Sequence, residues 1–200
     1  MSQLYSLILA SQSPRRKAFL SQLGYQFESI SPDIDESLKA QETPDDYVAR
    51  LALEKAQCIA NQFADTTVVI GSDTCVVYQQ RILGKPENLQ QCREYLMLLS
   101  GNTHQVYTGV AVVQQALSKT SVVCTHVEFD EISDAEINAY WRSGEPKDKA
   151  GGYGIQGIGG QFVKAINGSY SSVVGLPLSE TKQLLTQFNI FTPFNRTTTK

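Results

Sequence analysis

The sequence predicts a mixed α/β fold, and three observations carry that reading. Apolar runs of strand length alternate with capped amphipathic helices along the chain. The chain opens on an apolar run, Leu7-Ile8-Leu9-Ala10, that passes through the polar turn Ser11-Gln12-Ser13 directly into Pro14-Arg15-Arg16. Two long β-prone runs, residues 105–113 and 121–129, flank a polar turn and read as an antiparallel pair. With 200 residues, 42% hydrophobic and 18% charged, one domain, whole or in two lobes, can build its core without a disulfide or metal staple.

Residues 4–10 form the first predicted strand. Ser13 is placed to cap the helix that follows, and Pro14 suits its first position, where no backbone N–H is needed. That helix runs over 14–23 with Ala18, Phe19 and Leu23 on one face, and Gly24 stops it. Arg15 and Arg16 stand in its first turn, where the helix dipole disfavours cations and attracts anions. Free N–H groups, two hydroxyls and two guanidinium groups there suit a phosphate; the alternative is a surface helix with solvated arginines. Residues 25–30 alternate like a short strand. Asp33, Asp35 and Glu36 then make an acidic loop, either a solvated turn or carboxylates facing the arginines across a cation.

Thr43-Pro44-Asp45-Asp46 opens a second helix with cap, proline and two acids. Tyr47, Val48, Leu51, Ala52, Ala56 and Ile59 mark its buried face, and Lys55 falls on or beside that face. A lysine so placed snorkels to water or points into a site. Residues 67–78 form a β-prone stretch interrupted by Asp73. A carboxylate inside such a run is costly unless it is paired or holds a metal. After a turn at 79–81, residues 82–86 return with Lys85 fixed ahead of a proline. A helix over 88–99 follows, then the strand pair, with residues 114–119 as its turn. Ser133-Asp134-Ala135-Glu136 is a capping box. Gly152-Tyr-Gly154-Ile-Gln-Gly157 matches G-x-G-x-x-G, but a charged loop precedes it and a strand-like run, 161–166, follows. It is not a dinucleotide fingerprint; its glycines let backbone approach a ligand or a strand. Residues 170–174 read as a strand, Pro177 starts the last helix, and 191–200 read as a frayed tail.

Net charge is −3, which excludes global attraction to nucleic acid or an anionic membrane. Cys58, Cys75, Cys92 and Cys124 form no C-x-x-C pair and read as buried, reduced thiols of a cytosolic protein. His104 and His126 lack metal-ligand spacing. No leader-like or membrane-spanning run is expected. The candidate polar set is Ser11, Ser13, Arg15, Arg16, Lys55 and Lys85 for anions, with Asp35, Glu36 and Asp73 as carboxylates. Carboxylates beside a phosphate site make sense around a hard divalent ion, which neutralises charge and activates water. Metal-assisted phosphoryl chemistry on a small phosphorylated ligand follows. The P-loop pattern and the G-x-S-x-G elbow are absent.

Leu9-Ala-Ser-Gln-Ser-Pro-Arg-Arg16 resembles the opening motif of the Maf proteins, nucleoside triphosphate pyrophosphatases. Gly71-Ser-Asp-Thr74, Gly84-Lys-Pro86, Ser100-Gly-x-x-His104 and Asp148-Lys-Ala-Gly151 resemble its later motifs, in order. The resemblance spans about residues 4–188. Gly152–Gly157 and the stretch 167–177 are similar to the branch acting on dTTP and UTP rather than on 7-methyl-GTP. Ser72 stands where alanine is common, and Cys75 where an aliphatic residue is usual.

The resemblance implies one domain over 1–200 with a Maf and inosine-triphosphatase-like fold: a long mixed sheet flanked by helices, in two lobes around a cleft. It implies hydrolysis of dTTP, UTP and modified pyrimidine nucleotides to the monophosphate and pyrophosphate. Asp73 would be the general base or a metal-bound carboxylate and Glu36 a second ligand of Mg²⁺ or Mn²⁺. Arg15, Arg16, Lys55 and Lys85 would hold the triphosphate, with Ser11 donating to it. Arg15, Thr74 and Gln156 would set substrate choice, the Gln amide offering the donor and acceptor that a uracil or thymine edge needs. A cytoplasmic homodimer without nucleic-acid or membrane partners is implied. The alternative is a nucleotide-binding regulator of cell division and septum formation without essential catalysis.

Overall fold

A computed structural model describes residues 6–192 and 194. The first two positions of the expected opening strand and most of the expected tail lie outside the described residues. The strands are β1 (Leu7–Ala10), β2 (Glu28–Ile30), β3 (Val68–Tyr78), β4 (Arg81–Leu83), β5 (Thr103–Gln114), β6 (Leu117–Phe129) and β7 (Val163–Asn167). The helices are α1 (Pro14–Gln22), α2 (Pro44–Ala60), α3 (Leu89–Leu99), α4 (Asp134–Arg142), α5 (Tyr170–Val174) and α6 (Leu178–Gln187). One seven-stranded sheet runs in the order β2-β1-β3-β5-β6-β7, with β4 on β3. β1 is parallel to both β2 and β3, whereas β3–β4 and β6–β7 are antiparallel, so the sheet is mixed as expected. No described helix is long and apolar enough to cross a membrane.

The chain forms two compact units. The first takes residues up to Asp73, Thr108–Val122 and the chain from Gly175 on; the second takes Thr74–Tyr107 and Val123–Val174. In the first, Ile8, Ala10, Ala56, Ile59, Val69 and Val113 pack α2 onto the sheet. Two glycines set how closely. A Cβ on Gly71 would lie 2.0 Å from the Ala52 carbonyl oxygen, and one on Gly109 would lie 2.3 Å from that of Val48. Any side chain at either position would push α2 off the strands. In the second unit, Leu83, Cys92, Leu96, Leu99, Val127 and Phe129 are among the buried residues of a separate core.

The caps at Ser13 and Thr43 form as read, each accepting a backbone N–H of the first turn, and Ser133 and Glu136 close a reciprocal box; Asn88, expected as the first residue of its helix, caps α3 instead. Several elements differ from expectation. Val68–Tyr78 is one continuous strand, which Asp73 interrupts in hydropathy but not in backbone. The β5–β6 turn shrinks to Gln115 and Ala116, Gln115 having a left-handed φ of 53°. Strand 25–30 contracts to three residues. On α1 the buried pair is Phe19 and Leu20, while Ala18 is exposed. Residues 170–174 are a helix, because the Ser169 hydroxyl accepts the Ser172 N–H at 3.2 Å and caps a turn there. Of the cysteines, Cys75 and Cys92 are buried as expected; Cys58 is half-buried and Cys124 exposed, and none is in a disulfide.

Candidate active site

The first unit assembles its charges at the start of α1. Ser13 caps that helix, and the Ser11 hydroxyl accepts the Ser13 N–H at 3.2 Å and an Arg16 Nη1 hydrogen at 3.3 Å. The Ser29 hydroxyl of β2 donates to the Ser11 carbonyl at 2.5 Å, fixing the turn to the sheet. Arg16 Nε donates to the Gly175 carbonyl at 2.8 Å. That same carbonyl lies 3.0 Å from the hydroxyl of fully buried Ser72, which is also 2.8 Å from the Gly109 carbonyl. The serine that stands where alanine is common therefore ties β3 to the carbonyl that orients Arg16. Arg16 sits with its guanidinium partly desolvated. Burial lowers its pKa, the nearby Arg15 adds to that, and the carboxylates of Asp73 and Glu36 oppose it.

The centre of the arrangement is Lys55. Its Nζ lies 2.6 Å from Asp73 Oδ1 and 2.7 Å from Glu36 Oε1. Lys55 and Asp73 side chains are only 7% and 11% exposed, whereas Glu36 is half exposed. The lysine does not snorkel. The close approach of α2 to β3 at Gly71 brings it within reach of the strand carboxylate instead. Burying either charge alone would cost several kcal/mol, so each accounts for the other's place in the interior.

Glu36 is held by its loop rather than by its own helix or strand. Arg50 grips Glu42 through Nε and Nη2 at 2.5 and 2.7 Å, Glu54 at 3.0 Å and the Ser37 carbonyl at 3.1 Å. The Tyr47 hydroxyl donates to the Glu36 carbonyl at 3.0 Å. Arg50 holds the Glu42 carboxyl at a pKa of about 2. Asp35 is not drawn in: it is exposed and accepts the Ser37 N–H at 2.9 Å, a local turn that lowers its pKa. Its place as a site carboxylate is not supported by this geometry.

Two oxygen donors that meet on one ammonium are chemically suited to a hard divalent cation. Mg²⁺ characteristically takes one or two carboxylates and shares its remaining positions with water and phosphate. Glu36 and Asp73 fit that pattern. Among the described residues, no cluster of three or more His, Cys, Asp or Glu side chains offers an all-protein metal cage.

The remaining predicted positions belong to the second unit. Thr74 follows Asp73 on β3 and is half-buried; Lys85 and Gln156 are exposed. The Gly84 carbonyl, next to Lys85, accepts the Gly151 N–H at 3.0 Å, so the lysine turn and the glycine-rich stretch are joined. Gly151 takes a left-handed φ of 67°, and a Cβ there would strike Val76 at 2.8 Å. Three short 3-10 turns, Glu145–Asp148, Ala150–Gly152 and Ile158–Phe162, replace the loop expected in this stretch. Beneath it, the His104 ring nitrogen Nε2 lies 2.8 Å from the Tyr153 hydroxyl, and both rings pack edge-on against Phe129. Burial lowers the His104 pKa to about 4, so it is neutral and structural near pH 7.

Arg50, Tyr47 and the Gly175 carbonyl had not stood out as functional positions. The Arg50–Glu54 spacing of four on a helix was a weak signal for the first. A backbone carbonyl 159 residues from its arginine has none.

The model of the Maf-like protein family matches residues 6–188. A protein of Colwellia psychrerythraea named dTTP/UTP pyrophosphatase is 57% identical, over 90% of this chain and 86% of its own. One of Vibrio cholerae with the same name is 53% identical, over 91% of this chain and 97% of its own. Among solved structures, a HAM1 protein from Coxiella burnetii is similar over 63% of this chain and 73% of its own, at 15% identity and a TM-score of 0.42. With a family match that spans nearly the whole length and relatives above half identity, the chain belongs to the Maf-like protein family.

Proposed function

We propose that this protein is a nucleoside triphosphate pyrophosphatase that hydrolyses dTTP and UTP to the monophosphate and pyrophosphate. The observation that carries the reading is the Lys55 ammonium held between Asp73 and Glu36 in a chain whose relatives are named for this activity. In this reading Ser11, Arg15 and Arg16 bind the triphosphate at the start of α1, where N–H groups and guanidinium groups favour phosphate oxygens. Lys85 binds phosphate as well, and Lys55 turns from its carboxylates toward the incoming anion. Asp73 accepts the proton of the attacking water, and its burial beside a lysine keeps it fixed for that task. Glu36 and Asp73 would hold Mg²⁺ or Mn²⁺, whose chemistry is to neutralise phosphate charge and acidify water. Arg15, Thr74 and Gln156 select the base, and modified pyrimidine nucleotides fall within the same selection. The same reading makes the protein a cytoplasmic homodimer that clears nucleotide pools.

The test incubates the purified protein with Mg²⁺ or Mn²⁺ and a nucleotide panel, and separates pyrophosphate from orthophosphate. Pyrophosphate from dTTP and UTP, ahead of dGTP and dATP, is expected. Absence of release from both pyrimidine substrates at micromolar enzyme would refute the proposal. A division regulator without catalysis would bind nucleotide equally well with Asp73 replaced by Asn and keep its cellular effect.

A further inference from the structure

The glycine-rich stretch is built around one carboxylate. Glu145 accepts the Ile158 N–H at 2.8 Å and the Gly159 N–H at 3.0 Å, and the Tyr140 hydroxyl donates to it at 2.8 Å. The same Tyr140 oxygen accepts the Gly154 N–H at 3.2 Å. These three N–H groups bracket Gln156, two residues before it and two and three after. Between them the Gly157 N–H closes a turn onto the Gly154 carbonyl at 3.1 Å.

The pair also occupies the space the glycines leave. A Cβ on Gly157 would lie 2.3 Å from a Glu145 carboxylate oxygen, and one on Gly159 would lie 2.5 Å from the Tyr140 hydroxyl. The glycines are therefore required by Glu145 and Tyr140, not by a dinucleotide. Tyr140 is itself buried, 2% exposed and edge-on to Phe162 at 5.2 Å. Burial would raise the Glu145 pKa, but the N–H and hydroxyl donors outweigh it and keep the group ionised. Gln156, by contrast, is exposed on this fixed turn.

We propose that Glu145 and Tyr140 are positioning residues for base selection: together they lock the Gly154–Gly159 backbone so that the Gln156 amide meets a pyrimidine edge in one orientation. The inference rests on the selective role of Gln156 proposed above. An amide on a loose turn would still bind, but it would discriminate less, because selectivity needs its donor and acceptor held in register.

The experiment measures kcat/KM for dTTP and for dGTP in the wild type and in Gln156→Ala, Glu145→Gln and Tyr140→Phe, with a thermal melt of each. Gln156→Ala should lower the dTTP-over-dGTP ratio, and Glu145→Gln and Tyr140→Phe should lower it by about tenfold, mainly through the KM for dTTP. Glu145→Gln added to Gln156→Ala should lower the ratio no further. If Glu145→Gln does not fold, Tyr140→Phe, which removes a single oxygen, decides. A folded Tyr140→Phe or Glu145→Gln with the wild-type ratio, beside a Gln156→Ala that has lost it, overturns the positioning role alone. A wild-type ratio in Gln156→Ala overturns the selective role of Gln156 and this proposal with it.

Discussion

The charged cluster around Lys55 in the first unit and the glycine-rich stretch in the second hold their polar groups in opposite ways. In the first, charge meets charge: Lys55 joins Asp73 and Glu36, and Arg50 joins Glu42 and Glu54. In the second, the glycine-rich stretch is held by neutral donors, backbone N–H groups and a phenol converging on Glu145. The difference matters for chemistry. Ion pairs are interchangeable: a phosphate can take the lysine and a divalent cation the carboxylates, with little change of shape. Backbone hydrogen bonds fix a conformation whatever anion arrives. The first arrangement suits a site whose partners change during a reaction; the second suits a surface that must keep one form to discriminate.

The largest loss of stability is expected where a buried charge is stranded. Lys55→Met leaves Asp73 desolvated without its cation and should cost about 3 to 5 kcal/mol. In a chain of this size that is a fall in Tm of roughly 6 to 20 °C. Combining it with Asp73→Asn should restore part of the loss, measured as a double-mutant cycle on Tm. A Lys55→Met protein as stable as the wild type would mean that the two charges do not depend on each other.

Next comes the second unit's buried imidazole. The folded His104 pKa is about 4 against an ordinary 6.5. Between those values the unfolded chain binds the extra proton, so stability falls as pH drops from 6.5 toward 4, by up to about 3 kcal/mol. His104→Gln should be less stable at pH 7, but its deficit should shrink steadily across that window. A constant deficit would show that His104 is not what titrates. The smallest effect tests local structure alone: Ser133→Ala removes the α4 cap and should cost about 1 kcal/mol in denaturant unfolding with activity retained.

Local chemistry was legible in the sequence; long-range partners were not. The caps at Ser13, Thr43 and Ser133 are each written in a few neighbouring residues and formed as read. Lys55 could be placed on a buried face by spacing, and Asp73 in an apolar run, but their pairing depends on how closely α2 approaches β3 at Gly71. Tyr170–Val174 misled because its valines favour strands, while the Ser169 cap and the preceding turn decided for a helix. Glu145 lies in the charged loop before the glycines with nothing to single it out, because its partners include backbone N–H groups that carry no side-chain signal.

The central claim is that Asp73 does chemistry and not merely structure, and Asp73→Asn tests it most directly. The measurement is pyrophosphate release from dTTP at saturating nucleotide and metal, beside a thermal melt. With the protein folded, kcat should fall by about 100-fold or more, since a positioned base contributes on that order. A folded Asp73→Asn with wild-type turnover would contradict it.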